Sequence, residues 1–117
     1  KRNYINVYKI VIVASLIFSL MHLVNLSSQT FYSTLLQMLQ VFFLGMLLCA
    51  LYIRTGSLFI PFLFHFLLNF IATLSQEGAK QTNTSVSWKS TLFVCFFYFI
   101  ITVILLRRKK LNTQLLQ

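Results

Sequence analysis

Three long stretches of this chain contain no charged side chain, and that property restricts its fold more than any other. No Asp, Glu, Lys or Arg occurs between Lys9 and Arg54, between Arg54 and Glu77, or between Lys89 and Arg107. Apolar stretches of about 18 residues or more are long enough to cross the hydrocarbon core of a bilayer as α-helices. Only 9% of the residues are charged, whereas soluble domains average about 25%. The chain therefore has too little polar surface for a globule in water.

The apolar pattern predicts an all-α fold, a polytopic bundle of about four transmembrane helices. Each span must satisfy its own backbone hydrogen bonds because lipid offers none, and the sequence lacks the ten-residue alternation of a β-barrel. The interrupting polar residues place the spans at about 10–26, 34–53, 58–74 and 91–106. Residues 75–90 are predicted to form a polar loop. We expect residues 1–117 to be a single transmembrane domain and a fragment of a larger bundle, since the chain begins with Lys1.

The net charge of +9 comes from basic residues at the ends of the apolar stretches. Such residues are typical of membrane-flanking segments, so we expect membrane lipid as a partner and no nucleic acid. With four spans, both termini lie on the same side of the membrane, and this side has eight basic residues, including Arg54. The other side has two, Lys80 and Lys89. The bias towards cytoplasmic Lys and Arg then predicts that both termini are cytoplasmic.

The two histidines of the sequence, His22 and His65, lie inside predicted spans, where ionisable side chains are costly and are usually functional. His22 follows Lys9 by thirteen residues, and His65 follows Arg54 by eleven. With a rise of about 1.5 Å per residue, both histidines lie roughly 16–20 Å along helices that run in the same direction. Their similar depth predicts one shared site.

Each histidine has polar neighbours on its own helix. Asn69 comes four residues after the second histidine and so lies one turn along the same face. Ser15, Ser19 and Asn25 form a narrow polar line with His22 along an otherwise apolar helix. Such a line is expected to face other helices rather than lipid.

The second span carries its own polar and small residues. Gln37 and Gln40 form a polar pair near its outer end. Gly45 and Cys49 are spaced four residues apart, which allows a neighbouring helix to approach closely. Cys49 and Cys95 lack the spacing of a metal or redox motif, so we interpret both as packing residues.

Two short motifs, with one turn between them, occur along the chain. Phe18 to His22 reads F-x-x-x-H, and His65 to Asn69 reads H-x-x-x-N. Between them, residues 52–58 read Y-I-R-T-G-S-L, with Pro61 shortly after. In this order the motifs resemble the CAAX-processing and bacteriocin-processing (CPBP, or Abi) family of intramembrane proteases, over about residues 10–69.

The resemblance implies an intramembrane endopeptidase of a bacterial plasma membrane. Its substrate would be a membrane-tethered peptide or protein, with roles in CAAX processing, bacteriocin maturation or self-immunity. The resemblance implies His22, His65 and Asn69 as catalytic residues that position water and the oxyanion. His22 and His65 are also candidate ligands for a divalent metal such as zinc. The resemblance also implies that a carboxylate activates the water as general base, and none of these three residues is a carboxylate.

The carboxylate that this family uses is absent from the sequence. The family carries a glutamate pair, E-E-x-x-x-R, on the helix before its F-x-x-x-H helix, whereas Glu77 is the only acid here and lies in the predicted outer loop. We therefore expect the N-terminal helices of the parent protein to be missing from this chain and to act as its partner.

Two other classes of function stay open. The chain could be a non-catalytic membrane scaffold or immunity protein, in which the histidines only pack between helices. It could also belong to a transporter with a histidine proton relay, although such relays usually include carboxylates inside the membrane. A glutamate pair encoded directly upstream would favour the protease over both.

Overall fold

The computed structural model describes the backbone of residues 4–82 and 87–107, and the side chains of residues 6–75 and 87–107. In this part of the chain the secondary structure is entirely helical, with four α-helices and one 3₁₀ segment. The helices are α1 (Tyr4–Leu20), α2 (Phe31–Thr55), α3 (Phe59–Thr82) and α4 (Trp88–Leu105), and the 3₁₀ segment Met21–Ser27 continues α1. The predicted all-α membrane bundle is confirmed.

Three of the described helical segments are long and apolar enough to cross a membrane. They are Asn6–Ser27, Phe31–Thr55 and Trp88–Leu105. The apolar part of α3, Phe59–Ser75, is shorter. The protein is therefore an integral membrane protein. The side chain of Glu77 and the basic residues at 1–2 and 108–110, on which the predicted orientation depends, lie outside the described side chains.

The structure corrects the sequence prediction at two places. Residues 75–82, predicted as the start of a loop, continue α3 as a helix to Thr82. Their residues include the helix formers Gln, Glu, Ala and Lys, so leaving the apolar region does not end the helix. Residues 21–26, predicted as the end of the first α-helical span, form a 3₁₀-helix instead, which extends to Ser27. His22 lies in this segment.

The helix ends follow from residues with specific capping geometry. Thr30 caps α2, since its Oγ1 accepts a hydrogen bond from the Ser33 backbone N–H at 3.2 Å. Gly56 ends α2 with a φ of 71°, and its N–H donates to the Tyr52 carbonyl at 2.9 Å. Glycine takes this left-handed conformation without steric penalty. The resulting turn between α2 and α3 makes them neighbours that run in opposite directions.

Helix α2 is the centre of the bundle and packs against α1, α3 and α4. Residues 44–47 of α2 are all buried. Because consecutive helical residues point in directions about 100° apart, burial of four in a row means that other elements surround the helix. The tightest core lies near the Arg54 end, where Val7 and Val11 of α1 meet Met46 and Ala50 of α2 and Leu106 after α4.

Helix α3 packs less extensively on α2 than α1 and α4 do. Its described side chains are mostly exposed, and large apolar groups such as Phe62 and Phe66 are more than half accessible. Similar apolar exposure occurs on all four helices. Such broad apolar surfaces are not tolerated in water and fit contact with lipid. A space remains between α3 and its neighbours α2 and α4.

Candidate functional site

The 3₁₀ segment brings polar residues of the first span into line. A step of three residues falls about 60° short of a turn in an α-helix, but it completes one turn in a 3₁₀-helix, where residues i and i+3 are eclipsed. Asn25 therefore lies on the same edge of the segment as His22. Seven residues is long for a 3₁₀-helix, and such stretches often mark functional or strained positions.

The predicted polar line faces α2. Ser15 and Ser19 are almost completely buried. The Ser19 hydroxyl donates to the backbone carbonyl of Met38 in α2 at 2.7 Å. At the far end of the line, the Asn25 amide donates to Oε1 of Gln37 at 2.9 Å. Two hydrogen bonds thus connect the first span to α2 on either side of His22.

Gly45 allows the two helices to approach closely beside the site. A Cβ atom at this position would lie 3.2 Å from Cα of Ser15, 3.3 Å from its Cβ and 3.3 Å from Cδ1 of Phe18. Carbon atoms in ordinary contact are about 3.5–4.0 Å apart. The predicted close approach at Gly45 is confirmed, and it fixes the position of Phe18.

Phe18 is the residue that brings the two histidines together. Its ring centroid lies 5.2 Å from that of His22 and 5.3 Å from that of His65, with edge-to-face geometry in both pairs. The two imidazole centroids are therefore no farther apart than the sum of 5.2 and 5.3 Å. The F-x-x-x-H motif has a physical reason, because its phenylalanine is the packing platform for both rings.

The hydrogen bonds of the two rings differ and define which nitrogens remain for chemistry. His22 Nδ1 is 2.9 Å from the Phe18 carbonyl, which can only accept, so Nδ1 carries the proton and Nε2 keeps a lone pair. Asn69 Nδ2 donates to His65 Nε2 at 3.1 Å. In the neutral ring the proton of His65 is then on Nδ1, which is buried and has no partner among the described residues. The two rings therefore have one acceptor without a bond among the described contacts, His22 Nε2, and one buried donor, the N–H at His65 Nδ1.

Asn69 lies one turn along α3 from His65, as the sequence predicts, and it contacts the imidazole directly. Its side chain is exposed in the described part of the chain. The structure therefore places His22, His65 and Asn69 in one region around Phe18. Their predicted catalytic roles stay predictions.

The described residues do not make a complete metal site. No group of three or more His, Cys, Asp or Glu side chains that could hold a metal occurs among them. A catalytic zinc ion usually has three protein ligands. In addition, the Nε2 lone pair of His65 is occupied by the Asn69 amide. The described residues alone therefore do not complete a metal site, and the role of His22 and His65 as metal ligands stays a prediction.

Sequence reasoning missed the pairing of Asn25 with Gln37 and the space beside it. A cavity of about 350 Å³ lies between α2, α3 and α4. Gln37 and Asn69 both contribute to its wall. The spacing of Ser33, Gln37 and Gln40 along one face of α2 was the signal for a polar cavity.

The fold and the site define an integral membrane protein with two histidines held together within its helix bundle. A family model described as Rce1-like, type II CAAX prenyl endopeptidase, matches residues 1–71. The chain belongs to this family of membrane proteases, and the resemblance to the CPBP proteases is confirmed at the family level. No curated protein and no solved structure gave a match to the chain.

Proposed function

We propose that this chain carries the histidine half of the active site of a CAAX-type intramembrane endopeptidase, which hydrolyses a membrane-tethered peptide. The observation that supports the proposal most is the packing of both candidate histidines on Phe18, at 5.2 and 5.3 Å. Membership in a family described as prenyl endopeptidases makes prenylated C-terminal peptides the first substrates to test.

The two rings have complementary roles in the proposed reaction. The His22 Nε2 lone pair accepts a hydrogen bond from the attacking water and orients it. His65 Nε2 accepts one N–H of the Asn69 amide and so holds this exposed side chain in place. The second N–H of the amide donates to the carbonyl oxygen as it becomes an oxyanion, and such donors typically contribute about 2.7–4 kcal/mol to transition-state stabilisation.

A carboxylate is the remaining requirement, because a neutral imidazole that orients water does not replace the glutamate of the family. Glu77 is the only acid of the sequence. We place the general base in the glutamate pair of helices that precede Lys1 in the parent protein, which makes those helices a partner of the site. Peptide hydrolysis then proceeds by glutamate-activated water, with the histidines positioning the reacting atoms.

The same proposal includes the orientation in the membrane. The termini and Arg54 face the cytoplasm of a bacterial cell, and the connection between α3 and α4 faces outward, following the distribution of basic residues. Processing of CAAX peptides, bacteriocin maturation and self-immunity are all compatible with a substrate that reaches the site from the membrane.

The test is cleavage of a farnesylated CAAX peptide by the full-length parent protein in lipid vesicles. His22→Ala and His65→Ala should each abolish cleavage, and Asn69→Ala should lower kcat about a hundredfold, by analogy with the loss of one oxyanion-hole donor. Ser15→Ala is the matched control, since its hydroxyl donates to the Val11 carbonyl of its own helix, at 2.6 Å, and bonds to neither histidine.

Thermal stability in detergent separates catalysis from packing. Interhelical hydrogen bonds in membranes average only about 0.6 kcal/mol. If a histidine merely packs, its alanine variant should lose activity only in proportion to the loss of folded protein. The proposal expects folded protein without turnover. Normal cleavage by both histidine variants would show that His22 and His65 only pack between helices and take no part in catalysis.

A further inference from the structure

The cavity beside Asn69 has a chemical character that differs from the rest of the bundle. It measures about 350 Å³, within the usual size range of ligand pockets. Four carboxamides, those of Gln29, Gln37, Gln40 and Asn69, line it, together with Tyr98. Oε1 of Gln29 is buried without a partner among the described residues. Such groups are costly in an apolar bundle unless a ligand or water satisfies them.

The lining also indicates which ligands fit. None of the lining residues carries a charge or an imidazole, so the cavity matches neither a phosphate-bearing headgroup nor a metal ion. Carboxamides offer both N–H donors and C=O acceptors. A peptide main chain presents the same two groups, and each needs a partner when water is excluded. The best chemical match is therefore an uncharged stretch of polypeptide backbone.

The position of the cavity connects it to both histidines. Asn69 lines the cavity and donates to His65. Gln37 lines it as well and accepts a hydrogen bond from Asn25, three residues after His22. A peptide in the cavity would thus contact the side chain of Asn69, which is bonded to His65, and that of Gln37, which is bonded to the segment of His22. The part of its wall that α3 contributes packs less extensively on α2 than the other helices do.

We propose that this cavity is a substrate subsite, in which the carboxamides of Gln29 and Gln40 hold the main chain of the peptide next to the bond that is cleaved. The inference rests on the proposed protease function and adds the place where its substrate binds. Gln37 is held by Asn25, and Gln40 bonds to the Tyr98 side chain. A carboxamide has both a donor and an acceptor, so Gln40 keeps a group for a ligand, and the tests use Gln29 and Gln40.

The binding test is photocross-linking with a biotinylated, farnesylated CAAX peptide in vesicles that contain the full-length protein. Benzoylphenylalanine replaces Ala72, which lines the cavity, or Leu74, which is exposed on the same helix outside it. Both carry His22→Ala to prevent turnover. We expect capture of the peptide at position 72, competed by unlabelled peptide, and none at position 74.

The kinetic test compares Gln29→Leu and Gln40→Leu with Thr73→Val, whose hydroxyl bonds only to the Asn69 carbonyl of its own helix, at 2.9 Å. Loss of one hydrogen bond should raise KM about three- to tenfold, with kcat within about twofold. Thr73→Val should keep both constants. Thermal stability of each variant shows whether the fold is retained.

The outcomes separate the subsite from the protease proposal. Cleavage with unchanged KM in both glutamine variants, or with a change in kcat alone, would overturn the subsite and leave the protease. Capture at position 72 without any cleavage by the wild type would support peptide binding in the cavity and overturn the protease. Equal capture at positions 72 and 74 would contradict the subsite.

Discussion

Substitution of Gly45 tests whether the close approach of α1 and α2 holds the histidines in place. In Gly45→Ala the new Cβ meets Cα of Ser15 at 3.2 Å and Cδ1 of Phe18 at 3.3 Å. The serine atom belongs to the backbone and cannot rotate away, so the two helices must separate by a few tenths of an ångström. Phe18 moves with its helix, and both imidazoles rest on it.

Two opposing terms determine the change in stability. Alanine is favoured over glycine in a helix by about 0.8–1.0 kcal/mol, whereas overpacking typically costs about 1–3 kcal/mol. We expect Gly45→Ala to destabilise the bundle by roughly 0–2 kcal/mol as the difference between these terms. Gly45→Val adds two more methyl groups against the same backbone, so it should reach about 3 kcal/mol.

Activity should fall more steeply than stability. A displacement of about 1 Å can reduce catalysis about a hundredfold, so a shift of a few tenths in Gly45→Ala should lower kcat on the order of three- to tenfold. The assay pairs cleavage of the farnesylated peptide with thermal unfolding in detergent. Cys49→Ala, one turn along the same helix, is the control and should keep kcat.

The valine variant decides the question. Gly45→Val with wild-type stability and wild-type kcat would show that the helices do not meet at this residue and that Phe18 does not transmit their spacing to the site. A loss of stability with unchanged kcat per folded molecule would retain the close approach and reject its link to the histidines.

Three further predictions follow from other contacts. Gly56→Ala should lower the free energy of unfolding by about 1–2 kcal/mol, since a side chain is disfavoured at a φ of 71°; unchanged thermal stability would contradict this. Asn25→Leu should leave Oε1 of Gln37 unpaired, costing about 1–3 kcal/mol, and should reduce kcat more than it changes KM; an effect on KM alone would reject a positioning role. Cysteines introduced at Lys89 and Gln117 should react with an impermeant reagent from opposite sides of the membrane, and labelling from one side would refute the four-span arrangement.

The composition and spacing of the sequence were enough to predict the membrane class and the meeting of the two motifs. Charge-free stretches report directly on lipid contact, and an i, i+4 spacing places Asn69 against His65 on any α-helix. The end of α3 was missed because polarity marks where the membrane region ends rather than where hydrogen bonding along the helix ends. Helix formers continue α3 to Thr82.

The 3₁₀ segment and the cavity were harder to predict. Apolar content does not distinguish a 3₁₀-helix from an α-helix, although two successive steps of three residues, from Ser19 to His22 and on to Asn25, fit a 3₁₀ period. The cavity depends on how loosely α3 packs, which is a tertiary property. The polar face of α2 indicated only that something other than lipid lies against Gln37 and Gln40.

The peripheral position of α3 also bears on the order in which the protein is made. Synthesis proceeds from the N-terminus, so His22 enters the membrane two helices before His65 and Asn69. The first two helices already bury Ser15 and Ser19 between them, but the partner of His22 arrives only with the third. In the proposed protease, the two histidines would therefore come together only after α3 docks.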